Sequence, residues 1–81
     1  PRADNQEEIM VDNIYNITEI VGTSPDGTDA AIANAIQEAS KTLNNLDWFE
    51  VQSVRGNLNE GRVVDWQVTI KIGFRHEAKG Q

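Results

Sequence analysis

The sequence contains no cysteine and a single histidine, His76. The first absence excludes disulfide bonds, thiolate catalysis and cysteine-ligated metal, and the second excludes a metal site built from several histidines. No apolar run approaches the ~20 residues that a membrane-spanning helix needs, and no segment has the form of a secretory signal. We therefore expect a cytoplasmic protein without a metal site or a membrane partner.

Basic residues are scarce, with 7 against 13 acidic residues and a formal net charge of −6. This is the wrong sign for a protein that binds the phosphate backbone of nucleic acids. A chain of 81 residues suits one domain, and a domain this small buries only roughly 60% of its unfolded surface, so that it often gains stability by oligomerising. We expect a small binding or assembly domain with no nucleic-acid partner.

The two ends of the chain lack the apolar periodicity of its middle. Residues 1–11 are predicted to be a flexible leader or a cloning remnant, with Met10 as a candidate native start. Residues 12–77 are predicted to form the domain, and residues 78–81 a disordered tail.

The middle of the chain predicts four elements in the order β-α-β-β. Segments rich in β-branched residues predict strands at 14–21, 47–55 and 62–75, and a loop at 56–61 joins the last two as a hairpin. Because the helical crossover returns the chain, the third strand is expected between the other two and antiparallel to both. The predicted fold class is α+β, a three-stranded antiparallel sheet packed on one helix.

The helix is predicted over residues 28–45. Its larger apolar residues recur at spacings of four and three on one stripe, namely Ile32, Ile36, Leu43 and Leu46, with Ala39 in register. Ser24 is a candidate N-cap and Pro25 suits the first helical position, while residues 44–45, both asparagine, are typical of a helix stop.

Strand alternation assigns the two faces of the predicted sheet. The apolar face of the third strand must meet the helix: Val64, Trp66, Val68, Ile70, Ile72 and Phe74. The opposite face is polar: Asp65, Gln67, Thr69, Lys71 and Arg75. In the second strand Phe49 and Val51 are expected in the core, which turns Trp48 outward, and Val54 breaks the alternation and predicts a β-bulge near 52–53.

Trp48 is therefore predicted on the uncovered face, together with Gln67. A tryptophan among polar side chains has three explanations: packing against another subunit, stacking on a ligand, or an incidental edge contact. The residue pattern leaves these alternatives open. Trp66, in contrast, has the parity of a core residue.

Several segments resemble the dodecins, small flavin-binding proteins of bacteria and archaea. They are Glu19 to Ser24 (EIVGTS), Lys41 to Val51 (KTLNNLDWFEV), Val54 to Gly56 (VRG), Gln67 to Thr69 (QVT) and Gly73 to Arg75 (GFR). The resemblance covers residues 13–77. It implies a sheet wrapped around one helix, twelve copies in a hollow shell, and flavins bound in pairs at twofold axes.

The resemblance also implies roles for five residues. Trp48 matches the tryptophan that stacks on the flavin ring, and Gln67 matches a polar contact to the pyrimidine edge of that ring. Arg55 would flank the ring or reach a phosphate, and Arg75 would pair with a phosphate or with a neighbouring carboxylate. Asp47 would accept a ribityl hydroxyl or serve the start of its strand. The two arginines favour FMN over riboflavin as the ligand.

The function expected from this resemblance is storage or sequestration of FMN, with photoprotection by quenching of its excited state at the interfaces of a homododecamer. Riboflavin and other flavins are alternative ligands, and some bacterial members also bind coenzyme A. The competing interpretation is a structural homo-oligomer without a physiological small ligand. No catalytic residues are expected, since the protein is predicted not to be an enzyme.

Overall fold

A computed structural model describes residues 13–76, so that the predicted leader at 1–11 and tail at 78–81 lie outside the described residues. Four elements follow in chain order: β1 (Tyr15–Ser24), α1 (Thr28–Ala39), β2 (Leu46–Asn59) and β3 (Arg62–Arg75). Within 13–76, no helix has the length and apolar character needed to cross a membrane. The order β-α-β-β is the one that the sequence predicts.

The sheet has the order β1-β3-β2, and β3 is antiparallel to both neighbours. This confirms the predicted topology. The hairpin between β2 and β3 is tighter than predicted, because only two residues separate the strands. Glu60 and Gly61 both have positive φ, 52° and 79°, as the central residues of a type I′ turn require. The strands therefore extend through most of the predicted loop.

Three irregularities interrupt the pairing of β2 with β3. Register shifts fall between Leu46 and Trp48, between Val51 and Ser53, and between Asn57 and Leu58. The second confirms the β-bulge predicted near 52–53. The first leaves Asp47 without a partner in the ladder, and the third does the same for Val64 on β3.

The helix is shorter than predicted, since it ends at Ala39 and not at residue 45. Ser40 turns its side chain back and donates a hydrogen bond from Oγ to the carbonyl oxygen of Gln37 at 2.7 Å. Serine, threonine and asparagine compete with the helix in this way, and they occupy most of residues 40–45. Leu43 and Leu46 nevertheless pack against the core from the segment that follows the helix.

The predicted N-terminal cap is also wrong. The N-cap position is Gly27, with φ 137° and no capping side chain. The Ser24 Oγ instead accepts a hydrogen bond from the backbone N–H of Asp26 at 3.0 Å, so that it stabilises the turn before the helix. Pro25 lies in that same turn, ahead of the first helical residue.

The core is made of small helical residues and branched strand residues. Its buried members are Ala31, Ala35, Ala39, Val68, Ile70 and Ile72. The predicted stripe residues Ile32 and Ile36 are only partly buried, because the alanines face the sheet directly. The helix can lie close to β1 because Gly22 has no side chain. A Cβ at this position would overlap the carbonyl oxygen of Ala31.

The helix packs on β1 and β3 and leaves β2 largely uncovered on the helix side. Phe49 and Val51, predicted in the core, are 46% and 42% exposed, and Val54 is 51% exposed. Val64, at the third bulge, is 48% exposed and also falls outside the core. A helix of 12 residues spans too little of the sheet to cover these side chains, and burial of them needs another chain.

Candidate functional site

The face of the sheet opposite α1, here called the outer face, carries the residues singled out by the sequence. Trp48 is paired with Gly73, and Arg55 is paired with Gln67. Gly73 and Gln67 have the same parity on β3, so that both pairs project from one face. The structure therefore confirms that Trp48 and Gln67 share the face that the helix leaves open.

Trp48 lies against the backbone of β3. A Cβ on Gly73 would overlap Cε2 and Cζ2 of the indole and lie 2.7 Å from Cδ2. The ring of Tyr15, on β1, stands beside the indole with centroids 6.0 Å apart and planes tilted by 57°, a common geometry for aromatic pairs. Trp48 remains 39% exposed, so that part of the indole is available to a ligand or a second chain.

The carboxylate of Asp47, the residue before Trp48, connects side chains from the other two strands. Tyr15 Oη donates a hydrogen bond to Asp47 Oδ2 at 3.2 Å, and Arg75 Nε donates to the same oxygen at 3.0 Å. These three side chains, the Asp47 clasp, join β1, β2 and β3 at one end of the outer face. Arg75 thus pairs with a neighbouring carboxylate, one of the two roles expected for it.

The clasp affects the protonation of Tyr15. Partial desolvation raises the pKa of the Tyr15 phenol, and the hydrogen bond to Asp47 raises this pKa further because it favours the neutral form. Arg75 opposes the shift through its positive charge. The phenol is therefore held as a neutral donor to Asp47.

Gln67 and Arg55 lie at some distance from Trp48. Gln67 is six residues from Gly73 on β3, and at about 3.3 Å per residue this separates the two by roughly 20 Å along the strand. That span exceeds the length of a fused three-ring system such as that of a flavin. Within one chain, the backbones of Trp48 and Gln67 are therefore too far apart for such a ring system alone to span them.

β1 contributes residues that the sequence reasoning did not single out. Tyr15, Ile17 and Val21 share the parity of the outer face, and Ile17 and Val21 are 56% and 55% exposed. Their alternate spacing in the first strand was the available signal. Gly73 was also missed as a site residue, and its position inside a strand is the feature that could have indicated it.

Other surfaces offer less defined chemistry. A groove of about 650 Å³ lies between α1 and β1, away from Trp48, and its lining includes Asn34 and Glu38. A smaller cavity of about 150 Å³ lies behind Trp48, between Ile36 and Phe49. In residues 13–76, acidic and histidine side chains form no group of three that could hold a metal ion.

Comparison with known proteins points to one family. Residues 14–77 match the family model described as Dodecin. The chain is 48% identical over 64 residues to a dodecin from Thermus thermophilus, and the match covers 79% of this chain and 93% of that protein.

Solved structures give the same result. A dodecin from Streptomyces davaonensis is 57% identical with a TM-score of 0.80, and the match covers 84% of this chain and all of that one. A dodecin from Streptomyces coelicolor is 54% identical with a TM-score of 0.82, over 86% of this chain and all of that one. Solved mutants of the Thermus protein replace a tryptophan and two arginines. Those three residues have the sequence spacing of Trp48, Arg55 and Arg75.

Proposed function

The chain belongs to the dodecin family, and on this premise we propose that it stores or sequesters FMN and quenches its excited state by stacking on Trp48 where copies of the chain meet. The observation that carries the proposal is the indole of Trp48, 39% exposed on the outer face. The Gly73 backbone and the Tyr15 ring support it from the protein side.

The indole suits the ring system of a flavin. Its electron-rich face stacks on a large electron-poor ring, and an offset stack contributes ~0.5–1.5 kcal/mol beyond the area that it buries. When bound, FMN would supply a ring that becomes a strong electron acceptor on absorbing light. Trp48 would hold this ring by stacking and would serve as the nearby electron donor that quenches its emission. The role of Trp48 is protective and involves no net reaction.

Gln67 and Arg55 provide the polar half of the proposed site. A carboxamide presents a donor beside an acceptor and so complements an N–H next to a C=O on the flavin edge. The Arg55 guanidinium, opposite Gln67 in the sheet, suits the phosphate of FMN. Because these groups lie roughly 20 Å along the strand from Trp48, we place the flavin between the outer faces of two chains.

The assembly that we propose is a homododecamer. Its support in this chain is the apolar surface that one copy leaves open on the helix side of β2, where Phe49, Val51 and Val54 are about half exposed. A large exposed apolar patch is typical of an interface. The chain thus has two candidate interfaces, one on each face of the sheet.

The same apolar surface favours the second candidate function, a structural homo-oligomer in which Trp48 only packs subunits together. A measurement of flavin binding distinguishes the flavin-storage function from the structural one. We propose no enzymatic activity, because rings stacked between tryptophans would be shielded from a substrate. Riboflavin is an alternative ligand, coenzyme A a further one, and the cytoplasm the proposed location.

The test is a fluorescence titration of FMN with flavin-free protein and with its Trp48→Ala variant. The wild type should quench FMN emission in a saturable way. The variant should lose most of the quenching and bind at least about tenfold more weakly, the equivalent of one stack. Light scattering should show the same particle size for both proteins.

Trp66→Phe is the matched control, since Trp66 is half-buried on the helix side of the sheet. Its quenching should equal that of the wild type. FMN emission that the wild type leaves unchanged would favour the structural oligomer. Equal quenching by Trp48→Ala would refute the assignment of Trp48.

A further inference from the structure

Gly73 is buried in β3, between Ile17 on β1 and Trp48 on β2. Its φ is not positive, unlike those of Gly27 and Gly61, so that other residues could adopt its backbone conformation. The obstacle to a side chain is space. A Cβ would overlap the six-membered ring of Trp48 at Cε2 and Cζ2.

We propose that Gly73 is a positioning residue for Trp48. Its missing side chain lets the indole lie directly against the β3 backbone, and this depth sets the room that remains between the outer faces of two chains. The first half of the proposal concerns the chain alone. The second half rests on the proposed flavin function.

The displacement that a methyl group would cause follows from contact distances. Carbon atoms in contact prefer a separation of about 3.5–4.0 Å, whereas the ideal Cβ would lie 2.7 Å from Cδ2 and closer still to Cε2. An alanine at this position would lift the indole by roughly 1 Å or more. If two indoles face each other across a twofold axis, the gap between them narrows by twice this amount, a large part of one ~3.5 Å stacking layer.

The indole has little freedom to absorb the change by moving sideways. The ring of Tyr15 stands on one side, with centroids 6.0 Å apart. The residue before Trp48 is Asp47, whose carboxylate is held by Tyr15 and Arg75. The clasp therefore fixes the base of the side chain, and an added methyl group must push the ring away from the sheet.

The experiment compares Gly73→Ala with the wild type, first without ligand and then with FMN. Subtracting the spectra of Trp48→Phe isolates the emission and near-UV circular dichroism of Trp48. In Gly73→Ala the Trp48 emission should shift to longer wavelength, because the lifted indole meets more water. FMN should then bind about tenfold or more weakly, equivalent to the loss of one stack. Gly56→Ala is the matched control, since its Cβ would meet nothing closer than 3.4 Å, and it should change neither signal.

The double variant Gly73→Ala/Trp48→Phe decides cases in which Gly73→Ala fails to fold. A phenylalanine ring is smaller and lacks Cζ2, so the double variant should assemble and match Trp48→Phe in stability. Failure of both variants to assemble would show that Gly73 serves another purpose and would overturn the proposal, as would unchanged Trp48 spectra in Gly73→Ala. If the wild type binds no FMN, the flavin function fails, and the ligand-free spectra still decide the position of Trp48.

Discussion

At the scale of single residues, the outer face is organised around contacts that hold Trp48 and around a separate polar pair. Asp47 occupies a bulge, where no ladder partner constrains it, and its carboxylate is free to accept from Tyr15 and Arg75. The pair with Arg75 is 45% and 31% exposed at its two side chains, and such pairs contribute little to stability. The ion pair between Asp47 and Arg75 instead serves to orient the side chains around Trp48.

The clasp makes a prediction that is independent of any ligand. Asp47→Asn should lower the pKa of Tyr15 toward its ordinary value, because it removes the carboxylate that disfavours the phenolate. Tyr15 is the only tyrosine in the chain, so ultraviolet absorbance in an alkaline titration reports it directly.

The raised pKa of Tyr15 also determines how the stability of the fold changes with pH. Since folding raises the pKa of Tyr15, the phenol stabilises the fold fully below its unfolded pKa, and the contribution is lost as pH rises through the folded value. Asp65→Asn is the control, because Asp65 bonds Asn57 and not Tyr15. An equal shift in both variants would refute the clasp as the cause.

Arg55 gives a second prediction at this scale. If its guanidinium binds the phosphate, Arg55→Ala should weaken binding of FMN by about tenfold, as expected for a charge-assisted contact. Binding of riboflavin, which has no phosphate, should change much less. Arg62→Ala, at the hairpin end of β3, is the control. Equal losses for the two flavins would assign Arg55 to the ring or to an interface.

At the scale of elements, the packing of α1 on β1 depends on Gly22. A Cβ there would overlap the Ala31 carbonyl oxygen and lie 2.8 Å from Ala35 Cβ. The obstacle is backbone, which yields less readily than a flexible side chain. Gly22→Ala should therefore lower the free energy of unfolding by about 1–3 kcal/mol or more, as overpacking does.

Denaturant unfolding measures this effect, with Gly56→Ala as the control and with equal protein concentrations, since the stability of an oligomer depends on concentration. Gly56→Ala should stay within about 0.5 kcal/mol of the wild type. A similar result for Gly22→Ala would mean that α1 can move away from β1 at little cost.

The sequence predicts elements better than their ends. The helical crossover gives the central place of β3. Alternation in the second strand gives the outward Trp48 and the bulge near 52–53, since period-2 patterns depend on burial. The sequence misplaces the helix end, because Leu43 continues the apolar spacing although α1 has ended at Ala39. The sequence also assigns Phe49 to the core. Periodicity shows that a side chain will be covered, but it does not show whether the same chain or another one covers it.

The site shows the same limit. Strand alternation predicts a common face for Trp48 and Gln67, and the pairing with β3 confirms this face. The site role of Gln67 comes only from the resemblance to the dodecins. The clasp could not be predicted, because it joins side chains from three strands through a bulge whose position the pattern does not reveal. The position of Gly73 inside a strand indicates a close approach at this residue, but the pattern does not show that the approaching group is the indole of Trp48.

At the scale of the whole molecule, the chain exposes apolar side chains on both faces of one sheet. On the helix side Phe49, Val51 and Val54 are about half exposed, and on the outer face Ile17 and Val21 are more than half exposed. A sheet of three strands with one helix cannot cover two faces. Association with further copies would bury this surface and would place each outer face against another, where the proposed flavin site requires it.

The helix side of β2 offers the clearest test of this assembly. Val54→Asp places a charge in an apolar surface that we expect to be buried, and an unpaired buried charge is strongly destabilising. Light scattering should therefore show smaller particles than the wild type at the same concentration, and quenching of FMN should fall with them because the proposed site needs two chains.

Gln37→Glu adds one negative charge on the exposed side of α1 and should leave size and quenching unchanged. If Val54→Asp retained the wild-type particle size, the helix side of β2 would not be an interface. If its particles were smaller but quenching were intact, a unit smaller than the full assembly would be enough to form the flavin site. Such a unit would be a pair of chains joined through their outer faces.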